Sequence, residues 1–573
     1  MNGALAPAGN GSTAAESARA AGSKNADDAE KFSIQYYSQG FLTDSSVGGP
    51  MSEEAGKPPV VVVSEETSVT SGTAVQEKLI SAARVFSNLL KPTYGPRGLD
   101  KMLYKTNGST AVTNDGAKIV AELMVKHPAA KMMVAMGNTQ EEACGDGVTT
   151  TMMLCGALLE EANNLLSKGL HPLTLVDGYR TAMAVASEQM DSDAVDVDEE
   201  RLLGVAETAL TGKGTEAAID IFAPMVRDAL TAVEESVDKP GAEHVAMFKI
   251  GSGGLRDSHL IRGVAIRRRV LMDSLPNDLV NARTVVIGGD VKIRKMTRTA
   301  EIQITSAEQL DGFVEAESER KSELAKALID SGANLILAGG EIDRDILHDL
   351  ADAKILAVPE LDESELENAA AATGATVLDS VLDIEASDLG LAGSVRWERR
   401  QATDQVEDII TIDDCNNPGA VTLAIGGAGE TATEEIIRGL HDALRATSIA
   451  LENGQLLAGG GASHARIAHA VRKASENESG RARLAMDAFA RAQETIMATL
   501  ADNAGKDSLD AVLEMRAAAR EDGPAIGIKA DGEVGEVPGV WHPRAVIEEG
   551  LESSVETAMS MLRIDQVISA RGD

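Results

Sequence analysis

Residues 144–169 read CGDGVTTTMMLCGALLEEANNLLSKG. Gly145 and Gly147 permit a tight turn with its amides facing inward. Thr149 and Thr150 then fall in the first turn of a long amphipathic helix. Free amides, hydroxyls and the positive helix end favour an anion at this point. Asp146 lies inside the same cradle, where a carboxylate repels phosphate unless a divalent cation held by oxygen ligands sits between them. The loop therefore predicts a nucleotide with Mg²⁺. Gly-Asp-Gly before a helix is also an ordinary turn and N-cap, so the remainder of the chain has to decide between the two.

Its 573 residues exceed what one core supports and predict about three or four domains. The composition is globular, 43% hydrophobic, with 90 acidic against 53 basic residues and a formal charge of −37. That balance argues against a protein that grips nucleic acid by neutralising phosphates, and it suits a solvated surface in a high-salt cytoplasm. Cys144, Cys155 and Cys415 show neither C-x-x-C spacing nor an even count, which argues against a disulfide framework and a zinc cluster and for a reducing compartment. No apolar run is long enough to span a bilayer, and the N-terminus lacks a basic segment followed by an apolar core. The expectation is a soluble cytoplasmic protein with neither membrane nor nucleic acid as partner.

Residues 1–57, rich in Ala, Gly, Ser, Asn and acids, are expected to be disordered, with one aromatic cluster at Phe32, Tyr36, Tyr37 and Phe41. Order is predicted to begin with a strand at residues 58–63. A capping box at Thr73 and Gln76 then opens a helix with Val75, Leu79, Ala82, Phe86 and Leu89 on one face. Pro92 stops it, and Gly95, Pro96 and Gly98 force an irregular loop. Residues 110–116, TAVTNDG, read as a strand closing in a turn before a helix, with Asp115 as the turn residue. A helical stretch over 199–244 is interrupted by TALTGKG, which contains Lys213. Beyond it, VVIGG, ANLILAGG, AKILAVP and ATVL alternate with helical segments and predict a parallel sheet covered by helices. Ahead of the last three, residues 301–320 predict a strand and a helix capped by Ser306 with Gln309. That helix offers Leu310, Phe313 and Val314 as an apolar knob, either buried in its own domain or exposed. The strand VTLAIGG, a helix over 434–452, GGGA at 459–462 and further long helices follow. The first and last thirds are thus expected to pack together around an inserted α/β domain.

Taken singly, each loop has an ordinary structural role; their order is far more specific. KPTYGPRGLDKML, TNDGA, HPAAKM, TQEEACGDGVTTT, TGKG, NPGAVTL, LHDALRA, AGGGA, ADNAGKD and MLRIDQVI succeed one another as in the group II chaperonins. From about Pro58 to Ile568 the chain resembles the archaeal thermosome and its eukaryotic cytosolic relatives. The resemblance implies a multidomain chaperonin fold. A mainly α equatorial ATPase domain would take 58–199 and 441–573, a small α/β intermediate domain 200–247 and 401–440, and an α/β apical domain with a helical protrusion 248–400.

The same resemblance implies a double ring of identical or related subunits that folds non-native polypeptides with ATP, releases ADP and needs Mg²⁺. Tyr94, Gly95 and Pro96, with Asp146, Gly147, Val148, Thr149 and Thr150, would hold the phosphates, and Asp146 the metal. Asp115 and Asp442 match acidic positions near the γ-phosphate, Asp442 as the group that orients or deprotonates water. Lys213 would approach the γ-phosphate, Gly460 and Gly461 would pack against the nucleoside, and Leu310, Phe313 and Val314 would hold clients. Val148 stands where the family has a threonine, His542 where it has a glutamate near the sugar, and no Gly/Met-rich tail follows SARGD. A competing reading is a divergent subunit of a mixed ring with mainly structural or client-binding duty and weak ATPase. A P-loop NTPase or protein kinase fails for want of either signature.

Overall fold

The computed structural model describes residues 68–71, 73–104, 110–251, 253–293, 307–401, 406–427, 430–521 and 525–569. The expectations for residues 1–57 with their aromatic cluster, the strand at 58–63, the strand at 301–305 and the Ser306 cap lie outside them. Two units emerge, Met1–Gly72 with Gln566–Asp573, and Thr73–Asp565. In the first, the strands Ser68–Ser71 and Gln566–Ser569 pair antiparallel.

In the second unit, the helix Val148–Leu166 lies at the centre of a helical body. Its residues Met152, Met153, Leu158, Leu159 and Ala162 are fully buried. The expected amphipathic pattern holds only further on, where Glu160 and Asn164 are exposed, whereas residues 151–159 are buried on every side and so need neighbours all round. Those neighbours come from both ends of the chain: Thr73–Leu90 and Pro128–Cys144 before it, Ala482–Asn503 and Arg544–Leu562 after it. The helix Thr73–Leu90 buries Val75, Leu79, Ala83, Phe86 and Leu90. Ala83 and Leu90 thus replace the expected Ala82 and Leu89, since this face follows steps of four and three residues about a slightly rotated stripe.

A second core joins the helices Glu199–Leu210, Ile219–Glu234 and Glu430–Asn453 to a three-stranded sheet of Val245–Lys249, Val421–Ile425 and His259–Ile261. Phe222, Val226, Leu230, Leu423, Leu440 and Leu444 fill it. The helix Glu430–Asn453 runs unbroken through residue 441, where the sequence expects one domain to give way to the next.

The middle of the chain forms a seven-stranded sheet. Asp278–Ile287, Leu335–Ala338, Leu356–Val358 and Val377–Leu378 pair in parallel, as the alternation of strands and helices predicts. Both faces are buried: Val285, Ile287, Ile336 and Ala338 point into one core, Val286, Leu335, Leu337 and Leu356 into the other. Three antiparallel strands, Val264–Arg267, Gly390–Gln401 and Val406–Asp413, extend the sheet, so it is mixed rather than wholly parallel. The expected boundary at 400/401 falls within this strand pair. Among the described residues no helix is long and apolar enough to cross a membrane.

Candidate functional site

The loop at 145–147 is built as a helix end facing a helix start. Pro128–Cys144 closes on Gly145 at φ 62°, whose N–H donates to the Glu141 carbonyl at 2.8 Å. Gly147, at φ 89°, is the N-cap of Val148–Leu166. Both values lie in the left-handed region, and a Cβ on Gly147 would stand 2.9 Å from Gln140 Nε2. That amide pins the loop from behind, because Gln140 Nε2 donates to the carbonyls of Asp146 at 2.9 Å and Val546 at 3.3 Å. Thr149 and Thr150 stand half-buried in the first helical turn. Val148 is buried, its side chain near Gly137 in the helical core, so the absent hydroxyl is replaced by packing.

The Tyr94–Gly95 loop is held by Asn503, whose Nδ2 donates to the carbonyls of Lys91 and Tyr94, each at 2.8 Å. Asp115 caps the helix Gly116–Glu122, accepting from the amides of Ala117 at 2.9 Å and Lys118 at 3.3 Å. The ordinary turn role is therefore real, and the same residue also lines the cavity. Asn114 Nδ2 donates to the Gly212 carbonyl, tying this turn to the one that carries Lys213.

These segments enclose one cavity of about 430 Å³. Tyr94, Gly95, Pro96, Asp115, Asp146, Gly147, Val148, Thr149, Thr150, Lys213, Asp442, Gly460 and Gly461 all line it. Every residue expected at a nucleotide site is thus brought to one place from separate stretches of chain. Lys213 Nζ stands 2.5 Å from Asp442 Oδ2, with the two side chains 18% and 14% exposed. Burial, and the charges of Asp115 and Asp146, push the Asp442 carboxyl up to about 7, against the restraining charge of Lys213. Burial works against the Lys213 ammonium too, but Asp442 and Asp146 outweigh it and raise its pKa.

Asp146 is half-buried in the cavity wall, and no described residue hydrogen-bonds its carboxylate. Mg²⁺ takes one or two carboxylates together with phosphate and water oxygens, so a single free carboxylate beside two further acids fits it. Groups of three or more His, Cys, Asp or Glu able to enclose a metal by themselves are absent among the described residues.

Phe313 and Val314 lie on the helix Ala307–Asp330, far along the chain from the cavity-lining residues, and are 47% and 60% exposed. They are not buried in the domain's own core. The side chain of Leu310 lies outside the described residues. The sequence reading missed Asn114, Gln140, His464 and Asn503, which hold or line the cavity. Asn114 carried a signal, since it precedes Asp115 in the same turn; Gln140 lies inside a helix and Asn503 at the end of one, and although both stand in the quoted stretches TQEEACGDGVTTT and ADNAGKD, nothing local separates them from surface polar residues.

Residues 86–572 match the model of the TCP-1/cpn60 chaperonin family. The chain is 36% identical over 521 residues to the thermosome subunit beta of Methanothermobacter thermautotrophicus, covering 90% of this chain and 95% of that one. It is 38% identical over 523 residues to the thermosome subunit alpha of Archaeoglobus fulgidus, covering 90% and 95%. Against the thermosome subunit alpha of Halobacterium salinarum the figure is 36% over 528 residues, covering 91% and 93%. The mixed helix-and-sheet fold is consistent with the chaperonin family fold. The chain belongs to the TCP-1/cpn60 chaperonin family, in its group II branch with the thermosome subunits.

Proposed function

We propose that this chain is a chaperonin subunit that binds ATP with Mg²⁺ in the cavity, hydrolyses it, and couples hydrolysis to the folding of non-native polypeptides. The convergence of the Gly95, Asp115, Gly147, Lys213, Asp442 and Gly460 segments on one cavity supports this reading best. Asp146 would hold Mg²⁺, which when bound neutralises phosphate charge. The amides at the start of Val148–Leu166 and the hydroxyls of Thr149 and Thr150 bind phosphate oxygens. Lys213 turns from Asp442 to the terminal phosphate, and Asp442, freed of its partner, orients the attacking water and accepts its proton. Asp115 fixes the neighbouring turn by capping its helix.

The architecture that fits is an equatorial domain from both chain ends, an intermediate domain around the second core, and an apical domain around the seven-stranded sheet. The last is best extended from residue 400 to Asp413, because the strands to that point belong to the sheet. The subunit would work in the cytoplasm, in a double ring of identical or related subunits, with Phe313 and Val314 exposed to clients. The weak-ATPase accessory role is not favoured, since Asp115, Asp146 and Asp442 are all present in the cavity wall.

Steady-state ATP hydrolysis by the full chain, at low and multimolar KCl, tests the proposal. Turnover is expected to vanish with EDTA and to fall at least about 10²-fold in Asp442→Ala, the range for loss of a general base. No turnover in the wild type at either salt concentration would sink it.

A further inference from the structure

The helix Glu430–Asn453 carries Glu435, Asp442 and Arg445 at spacings close to two turns and one turn, which sets them along one side of it. Its outer two reach the two acidic turns of the cavity. Thr113 Oγ1 donates to Glu435 Oε1 at 2.9 Å, and the same hydroxyl accepts the Asp115 amide at 3.2 Å. Arg445 Nη2 donates to the Glu142 carbonyl at 2.8 Å. Glu142 stands in the last turn of Pro128–Cys144, just before the Gly145–Gly147 loop, where a helix leaves carbonyls without intrahelical partners and favours a cation.

Arg445 also fits the loop itself. A Cβ on Gly145 would stand 2.4 Å from both Cδ and Nε of Arg445 and 2.8 Å from its Cζ, so the arginine lies against bare loop backbone. Glycine is needed there twice over, for the positive φ and for this close approach. Arg445 Nη1 is 3.9 Å from Glu141 Oε1, with the two side chains 34% and 37% exposed, and such a pair adds little by itself. Arg445 is not among the residues lining the cavity, so it acts through the loop. Gln140 holds the Asp146 carbonyl from the loop's own helix; Arg445 reaches the loop from the helix that carries Asp442.

We propose that Arg445 is a positioning residue: by bonding the Glu142 carbonyl and lying on Gly145, it fixes the helix of Asp442 against the loop of Asp146, and so sets the reach from the water-orienting carboxylate to the phosphates. This role rests on the ATP-hydrolysing reading above.

The test compares the full chain with Arg445→Met, which keeps a long stem without charge or donors, and Arg445→Lys, which keeps the charge without the planar fork. Equilibrium binding of ADP with Mg²⁺ and single-turnover ATP hydrolysis are measured on each. Arg445→Met is expected to bind ADP within about twofold of wild type, because the lost interaction serves the chemical step and not ground-state binding. Its single-turnover rate per bound nucleotide should fall about 10-fold to 10²-fold, the scale of a misplacement of about 1 Å. Arg445→Lys should stand between the two. Counting the rate per bound nucleotide keeps partial unfolding from imitating the result, and Arg445→Lys carries the test if Arg445→Met fails to fold. An unchanged rate in Arg445→Met, a full wild-type rate in Arg445→Lys, or a loss of affinity as large as the loss of rate overturns the role. If the wild type itself hydrolyses no ATP, the ATP-hydrolysing reading falls instead.

Discussion

At the scale of single residues the decisive feature is the ion pair of Lys213 and Asp442, 2.5 Å apart and largely removed from water. Desolvation makes such a pair costly to break by removing one partner, because the survivor stays buried and uncompensated. A phosphate arriving beside Lys213 replaces one anion by another, so the lysine can move without that cost while Asp442 becomes available to water. The carboxyl of Asp442 stands at about 7 in the free cavity, with burial as the first cause. Because kcat/KM reports the free enzyme's essential groups, its acid limb is expected to rise with pH around a midpoint near 7. Lys213→Met removes the charge that holds Asp442 down, so the midpoint moves to higher pH and the rate at neutral pH falls. A pH–rate profile of the two proteins reads this directly, and an unmoved limb in the variant would assign the titration to another group. The phosphate cradle was legible from residue types alone, as Gly145 and Gly147 at positive φ with Asp146 between them, and Thr149 and Thr150 in a first helical turn. Lys213, Asp442, Gly460 and Gly461 were singled out only through the family resemblance, Asp442 lying in the middle of a helix. Gln140 and Asn503 were not legible, because their function is to bond backbone carbonyls brought near only by tertiary packing.

At the scale of elements, strands buried on both faces announced themselves as apolar runs, and helix Val148–Leu166 as a long helix behind a glycine turn. The pair Gly390–Gln401 and Val406–Asp413 did not. Arg396, Glu398 and Arg399 interrupt any apolar run, and the register of Gly390–Gln401 comes from pairing with Asp278–Ile287 more than a hundred residues earlier. Helix Ala307–Asp330 shows the converse: its pattern was legible, but only the fold decides which side is covered. Phe313 and Val314 are exposed near its start, whereas Ala325 and Leu328 are buried toward its end. Lys321, between them, meets Asp343 at 3.2 Å and Asp345 at 2.9 Å and clamps the helix to the start of Arg344–Asp352. An apolar tip on an anchored stem suits the capture of non-native chains. The double variant Phe313→Asp/Val314→Asp is expected to suppress aggregation of a denatured client several-fold less well, with ATP turnover per subunit within about twofold of wild type, surface changes of this kind having little effect on stability. Light scattering during client dilution, beside an ATPase assay, checks both halves; undiminished protection would remove these residues from the client surface.

At the scale of the whole molecule, a formal charge of −37 is a burden that no single contact relieves. Like charges spread over a folded surface repel one another and favour expansion. Salt shortens the range of that repulsion, from about 10 Å at 0.1 M to about 3 Å at 1 M, so most of the relief comes within the first molar of added salt. The melting temperature is therefore expected to rise steeply between about 0.05 and about 1 M KCl and then to flatten, once the screening length falls below the usual spacing of surface charges. Stabilisation by exclusion of solute from the surface behaves differently, since it keeps growing with concentration and is shared by uncharged osmolytes. Melting curves in KCl and in sucrose separate the two. A plateau in KCl without a comparable early rise in sucrose identifies relief of self-repulsion, and matched, unsaturating rises in both would show that the acidic balance is not what limits the stability of this chain.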